Sequence, residues 1–173
     1  MQQNPNESTK ANIVTKVSSL TDEELSQILK MERELFPEGL QDDYDKEVKD
    51  DRIAVLAYCP HGKVAGYIFS IPHHEAHVRL KDHDLKMSEV HDAHYIESIA
   101  IRKDLQGQGY FSKLMKKFLE VVGDRTITMH ARVYNNCSAG MKKHGAEHQH
   151  TISNWFGTGE DFDYLVINRH SGL

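Results

Sequence analysis

Apolar and polar positions interleave along residues 96–101, where Ile96, Ile99, Ala100 and Ile101 alternate with Glu97 and Ser98, so the spacing predicts a half-buried strand. A polar, glycine-bearing turn follows from Arg102 to Gly109. Beyond it Tyr110, Phe111, Leu114, Met115, Phe118, Leu119 and Val122 recur at spacings of three and four, the stripe of an amphipathic helix. Strand, turn and helix in that order suit an anion. The first N–H groups of a helix have no partner inside it, lie at the positive end of its dipole, and point into the turn. Gly107 and Gly109 carry no Cβ, so a diphosphate could approach their backbone closely.

The remaining pattern predicts a sheet with helices around it. Residues 1–11 are polar without apolar rhythm and read as a mobile tail, leaving 12–170 as one domain. Asn12 to Ser18 alternates weakly as a short strand, and Thr21 to Glu24 has the hydroxyl and acid of a helix start. Leu25, Ile28, Leu29, Met31 and Leu35 continue that helix until Pro37 and Gly39 stop it, and a second short helix is expected from Asp42 to Lys49. Residues 52–58 and 64–71 form a hairpin across Pro60 and Gly62. A fourth strand spans 126–134, with Ile127, Met129, Ala131 and Val133 on one side, and two more run near 147–155 and 162–168. No repeat or interdomain linker interrupts the chain.

Composition narrows the function classes. With 173 residues, 39% apolar and 27% charged, the chain has the makings of one globular domain with a real core. A net charge of -5 without a basic run argues against nucleic acid as a partner. No stretch approaches the about 20 apolar residues of a membrane span, and the polar start offers no apolar signal region, so no membrane partner and a cytoplasmic location are expected. Cys59 and Cys137 are too few for a disulfide framework or a zinc site and are taken as reduced, not as nucleophiles. Residues 72–93 hold His73, His74, His77, His83 and His91 among several acids, a His-rich insertion between adjacent strands that reads as a solvated cover over a cleft. His73 and His77 have the spacing of two metal ligands on one helix face, yet His74 to His77 is one residue too short for HExxH, and no metal is assigned.

The Gly turn lacks the Lys-Ser/Thr of a nucleotide-hydrolysing P-loop and the third Gly of the dinucleotide fingerprint. Instead Gln106-Gly107-Gln108-Gly109-Tyr110-Phe111, after the strand Glu97-Ser98-Ile99-Ala100-Ile101, resembles the acyl-CoA-binding motif Q/R-x-x-G-x-G/A of the GCN5-related N-acetyltransferases, or GNAT family. Gln106 and Gly109 match; Phe111 stands where a small residue is usual. Residues 134–146 are similar to the family's strand-Asn-helix-Lys-x-Gly-Phe element, with Met141 about where many members carry a Tyr that protonates the leaving thiolate.

The resemblance implies an α/β fold, a mixed and mostly antiparallel sheet flanked by helices and splayed between its fourth and fifth strands, where acetyl-CoA inserts as acyl donor. It implies attack by an amine acceptor on the thioester in a ternary complex, without an acyl-enzyme. Backbone N–H groups from Gln108 to Ser112, with Gln106, Gly107, Gly109, Tyr110 and Phe111, would hold the diphosphate. Ile99, Ala100 and Ile101 would border the pantetheine, a free N–H near Ile99 would face the oxyanion, and Asn136 would contact the arm. Glu97 is expected as general base, on the same face as Ile99 if strand pairing is regular, with His94 and Ser98 as substitutes and Tyr134 as candidate acid. The acceptor stays open among small amines, amino acids and protein amines. Acid at Glu38, Asp42, Asp43, Asp45, Glu47, Asp50 and Asp51 would favour a cationic one if it lines the acceptor wall. A homodimer is open too, as are a non-catalytic acyl-CoA-binding domain and a metal enzyme built on the His-rich insertion.

Overall fold

The structure, a computed structural model, describes residues 11–14, 20–36 and 52–169. The helix expected at Asp42 to Lys49 and most of the expected tail lie outside the described residues. Ala11, expected as the tail's last residue, is instead the first residue of strand β1, Ala11–Val14, paired with Ala57. The other strands are β2 Ile53–Tyr58, β3 Val64–Pro72, β4 Ala93–Ile101, β5 Thr126–Arg132, β6 Glu147–Ile152 and β7 Phe162–Ile167. They form one sheet in the order β1-β2-β3-β4-β5-β7-β6. Every neighbouring pair is antiparallel except β4 with β5.

Helix α1, Asp22–Leu35, begins with a complete capping box: Thr21 Oγ1 accepts from Glu24 N at 3.1 Å and Glu24 Oε2 accepts from Thr21 N at 2.8 Å. It ends at Phe36, whose extended backbone is what a following proline imposes. Ile28 and Met31 pack with Leu56, Tyr67 and Phe69 on one face of the sheet. Helices α3, Tyr110–Val122, and α4, Asn136–Lys143, cover the other face, where Leu114, Met115, Phe118 and Met141 meet Ile96, Ile127 and Met129. The alternation along β5 thus buries Ile127, Met129 and Ala131 toward α3, as the periodicity predicts.

The link between β3 and β4 departs from expectation. It is solvated over much of its length, as at His74, Val78, His83 and Leu85, but it is anchored in the core: it folds as α2, His73–Leu80, and a loop whose Met87 joins Ile71, Ala76, Tyr95 and Tyr164 in a third apolar cluster. Asp84 in that loop is buried and accepts from His130 Nε2 at 2.9 Å and His150 Nε2 at 2.7 Å, which fastens the link to β5 and β6. These partners lie far away in sequence, so the hydrophilic composition of the link concealed which of its residues are buried. No described helix is long and apolar enough to cross a membrane.

Candidate active site

Strands β4 and β5 pair only at Ala93–Thr126, His94–Ile127 and Tyr95–Thr128. Beyond Tyr95 they part, which opens a wedge along residues 96–101. Arg102 N donates to Ala65 O at 2.8 Å, so Arg102 faces β3; strand alternation then turns the main-chain groups of Ile101 and Ile99 to the open edge. The Ile101 carbonyl accepts from Gln106 Nε2 at 3.1 Å, consistent with that direction. Ala100 is turned the other way. Its carbonyl lies against Gly66 of β3 and its side chain is buried in the α1 cluster, so of the three expected pantetheine contacts the structure keeps Ile99 and Ile101 at the wedge and Ala100 out of it.

At the wide end of the wedge, Gly107 and Gly109 both adopt positive φ, 78° and 87°, and Gly109 is the N-cap of α3. A Cβ at either would meet nothing within 4 Å: the space beside this turn is open. The side chains of Gln106 and Gln108 turn back to Ile101 O and Asp104 O, which braces the turn and leaves anion contact to the main chain. Ser112 is exposed on the first turn of α3, whereas Tyr110 is buried. Phe111 fits despite its size because its ring lies against Gly140 of α4, where a Cβ would come within 2.8 Å of it. These features fit an acyl-CoA: an open strand edge for the arm, and a helix N-terminus with unobstructed backbone for the diphosphate.

Glu97 sits at an irregularity. Phe69 pairs with Ser98 and Ser70 with Ile96, so Glu97 is the extra residue of a β-bulge. The expectation that it shares a face with Ile99 required regular pairing and is corrected here. Ile99 packs toward α3, while Glu97 turns to α2 and the start of β2, where Oε1 accepts from Arg79 and Oε2 lies 3.2 Å from Arg52 Nε. Its side chain is 3% exposed. Under α1, Glu32 is also buried and accepts from Tyr67 Oη and from Ser98 Oγ at 2.5 Å.

Ser98 is therefore committed to the α1 face. His94 lies at the closed end of the wedge, 3.0 Å from Arg125, and burial with that guanidinium pushes its pKa down to about 4, so it is neutral near pH 7. Tyr134 stands two residues past β5 and is 83% exposed. Asn136 is exposed on the first turn of α4, and the cap of that helix is Asn135, which accepts from Cys137 N at 2.9 Å. Met141 is buried in the core. Burial pushes the Cys137 thiol up to about 12, which makes it a poor nucleophile.

His73 and His77 are used internally: His73 bonds Thr128 Oγ1 at 2.7 Å and Ser88 O at 3.0 Å, and His77 bonds Met87 O at 3.2 Å. Among the described residues no three His, Cys, Asp or Glu side chains gather as a ligand set. An open concavity of about 400 Å³ beside His74, His91, His94 and Arg125 lies at the opposite end of β4 from the Gly turn and plays no part in the cradle.

Sequence reasoning missed Arg52, Arg79 and Glu32. Only Glu32 carried a signal, a carboxylate four residues after Ile28 on the apolar stripe of α1.

An open wedge between parallel strands with a Gly turn at its mouth is the arrangement of an acyltransferase, and that is the class of this protein. The model of the acetyltransferase (GNAT) family matches residues 22–145, and the chain belongs to that family. Among curated proteins none matches the chain by sequence. Solved structures share the fold. The ribosomal-protein-S18-alanine N-acetyltransferase of Escherichia coli superposes with a TM-score of 0.65 at 15% identity, over 95% of this chain and 97% of that one. Arabidopsis thaliana NAA60 in complex with acetyl-CoA gives 0.64 at 14%, over 91% and 96%. A spermidine N-acetyltransferase chimera from Vibrio cholerae SpeG and hSSAT gives 0.62 at 13%, over 92% and 96%.

Proposed function

We propose that this protein is an N-acetyltransferase that moves the acetyl group of acetyl-CoA to an amine acceptor by direct attack in a ternary complex, with Glu97 as general base. The observation that carries the reading is the bulge: it puts a buried carboxylate on the α1 and α2 side of β4, two residues before main-chain groups that open onto the wedge. Bound acetyl-CoA supplies an activated thioester. The chain holds its diphosphate with N–H groups of residues 107–112 and its arm with Ile99 and Ile101, and Asn136 borders the arm. The Ile99 N–H stabilises the developing oxyanion. Glu97 takes the ammonium proton, directly or through one water. Tyr134, at the wide end of the wedge, is the candidate acid; a thiolate with a conjugate pKa near ~8.5 also leaves unaided at modest cost. The free cysteines suit a reducing compartment, and we place the protein in the cytoplasm.

Thermal unfolding with acetyl-CoA tests the cradle, because a ligand at a hundred times its Kd stabilises the fold by about 2.7 kcal/mol. An amine panel with free-thiol detection then tests catalysis. Glu97→Gln should lower kcat about 10²–10⁴-fold with unchanged acetyl-CoA affinity; a smaller loss removes Glu97 as the base. Buried Met141 and exposed Tyr134 favour one second reading, a domain that binds acyl-CoA without turnover. Binding without thiol release across the panel would support it.

A further inference from the structure

Arg79 comes from α2, in the link between β3 and β4, and not from an element that builds the acyl-CoA cradle. Yet it bonds Oε1 of Glu97, the carboxylate proposed as the base. The two cations around Glu97 differ in exposure. Arg52 is 22% exposed and lies against Oε2, whereas Arg79 is 52% exposed and Glu97 only 3%. Among the described residues, Arg79 is thus the partner that stands between Glu97 and solvent. The bulge fixes the backbone of Glu97 within the sheet, and burial with two arginine partners holds its carboxylate in place. Arg79 can move, because it lies in the last turn of a half-exposed helix on a long rotatable stem.

We propose that Arg79 is a gate over Glu97: it holds, before the acceptor arrives, the place that the acceptor's ammonium takes, and it leaves when the acceptor binds. This rests on the reading of Glu97 as the base. The exchange replaces one cation bearing N–H donors by another, so the buried carboxylate keeps its charge partners throughout, whereas uncovering it with nothing in return would be costly. The gate therefore selects alkylammonium acceptors that carry N–H donors. An arylamine, uncharged near neutral pH, would leave Glu97 with Arg52 as its one cation among the described residues and is disfavoured even where it fits.

Carboxyl labelling with a carbodiimide and glycinamide, read by peptide mass spectrometry on the free protein, tests the cover without any acceptor. Glu97 should resist labelling in the wild type and react at least several-fold faster in Arg79→Gln, with Arg79→Lys restoring part of the protection and the surface carboxylate Glu34 unchanged in all three. Equal labelling of Glu97 in wild type and Arg79→Gln overturns the gate. With whichever alkylamine the wild type acetylates, Arg79→Gln should lower the acceptor KM several-fold and leave acetyl-CoA binding unchanged; a raised KM would mean that Arg79 only steadies Glu97, and also overturns it. Absence of turnover with every amine would refute the enzymatic reading, while the labelling result would still decide whether Arg79 covers Glu97.

Discussion

Replacing Asp84 by Asn should destabilise the protein more than any other isosteric change in the link between β3 and β4. The Asp84 carboxylate is 3% exposed, accepts from both His130 and His150, and takes a third bond from Lys86 N at 3.0 Å. Those hydrogen bonds hold its pKa near about 2 against burial, which raises it; from the ordinary 3.8 this amounts to about 2 kcal/mol. His130 is pushed down by burial and is neutral, so Nε2–H donates to Asp84 while Nδ1 accepts from Tyr95 Oη at 2.9 Å. Both imidazoles converge on Oδ2 while Lys86 N–H donates to Oδ1, so an Asn that keeps its one oxygen for the imidazoles turns its own N–H groups on the Lys86 N–H, and it no longer carries the charge that the three donors stabilise. The loss should be about 2–4 kcal/mol at pH 7. For a chain of this size that is a Tm lower by about 5–15 °C.

The pH dependence gives a second, independent reading. A lowered carboxylate pKa contributes stability that is fully present above about pH 4 and disappears as pH falls through about 2. Urea unfolding followed by circular dichroism on both proteins, at pH 7 and at steps from 5 to 2, isolates the contribution as a difference. The gap between wild type and Asp84→Asn should narrow over that window. A gap below about 0.5 kcal/mol at pH 7, or one that stays constant to pH 2, would refute the Asp84 latch.

Gly109→Val puts a β-branched residue at φ 87° and a side chain into the open space beside the turn, so acetyl-CoA affinity measured by calorimetry should fall at least about tenfold. Unchanged affinity would remove the turn from the cradle. Gly66→Ala places a Cβ 2.7 Å from the Ala100 carbonyl oxygen and 2.6 Å from Ile101 Cδ1, and strand β3 must give way. A loss of about 1–3 kcal/mol in urea unfolding is expected, and a neutral variant would show that β3 and β4 can separate locally.

The strand, Gly turn and helix of residues 96–122 were legible because they are local. Strand alternation, a glycine pair and an amphipathic stripe span residues 96–122, and each follows from backbone geometry over a few residues. The capping box at Thr21 and the hairpin across Gly62 were readable for the same reason. The bulge at Glu97 was not. Nothing near Glu97 announces it; it arises because Ser70 of β3 meets Ile96 while Phe69 meets Ser98, and a one-residue mismatch between distant strands has no signature in either. The His-rich link misled for a related reason. Its composition is that of a solvated loop, but Asp84 finds His130 and His150, 46 and 66 residues away, and His73 finds Thr128. The sequence by itself determined most of the elements and the place of the glycine turn before α3, since these depend on neighbours along the chain. Only the tertiary structure decided where Glu97 points, which cations guard it and which histidines are buried, since those depend on partners that folding alone brings together.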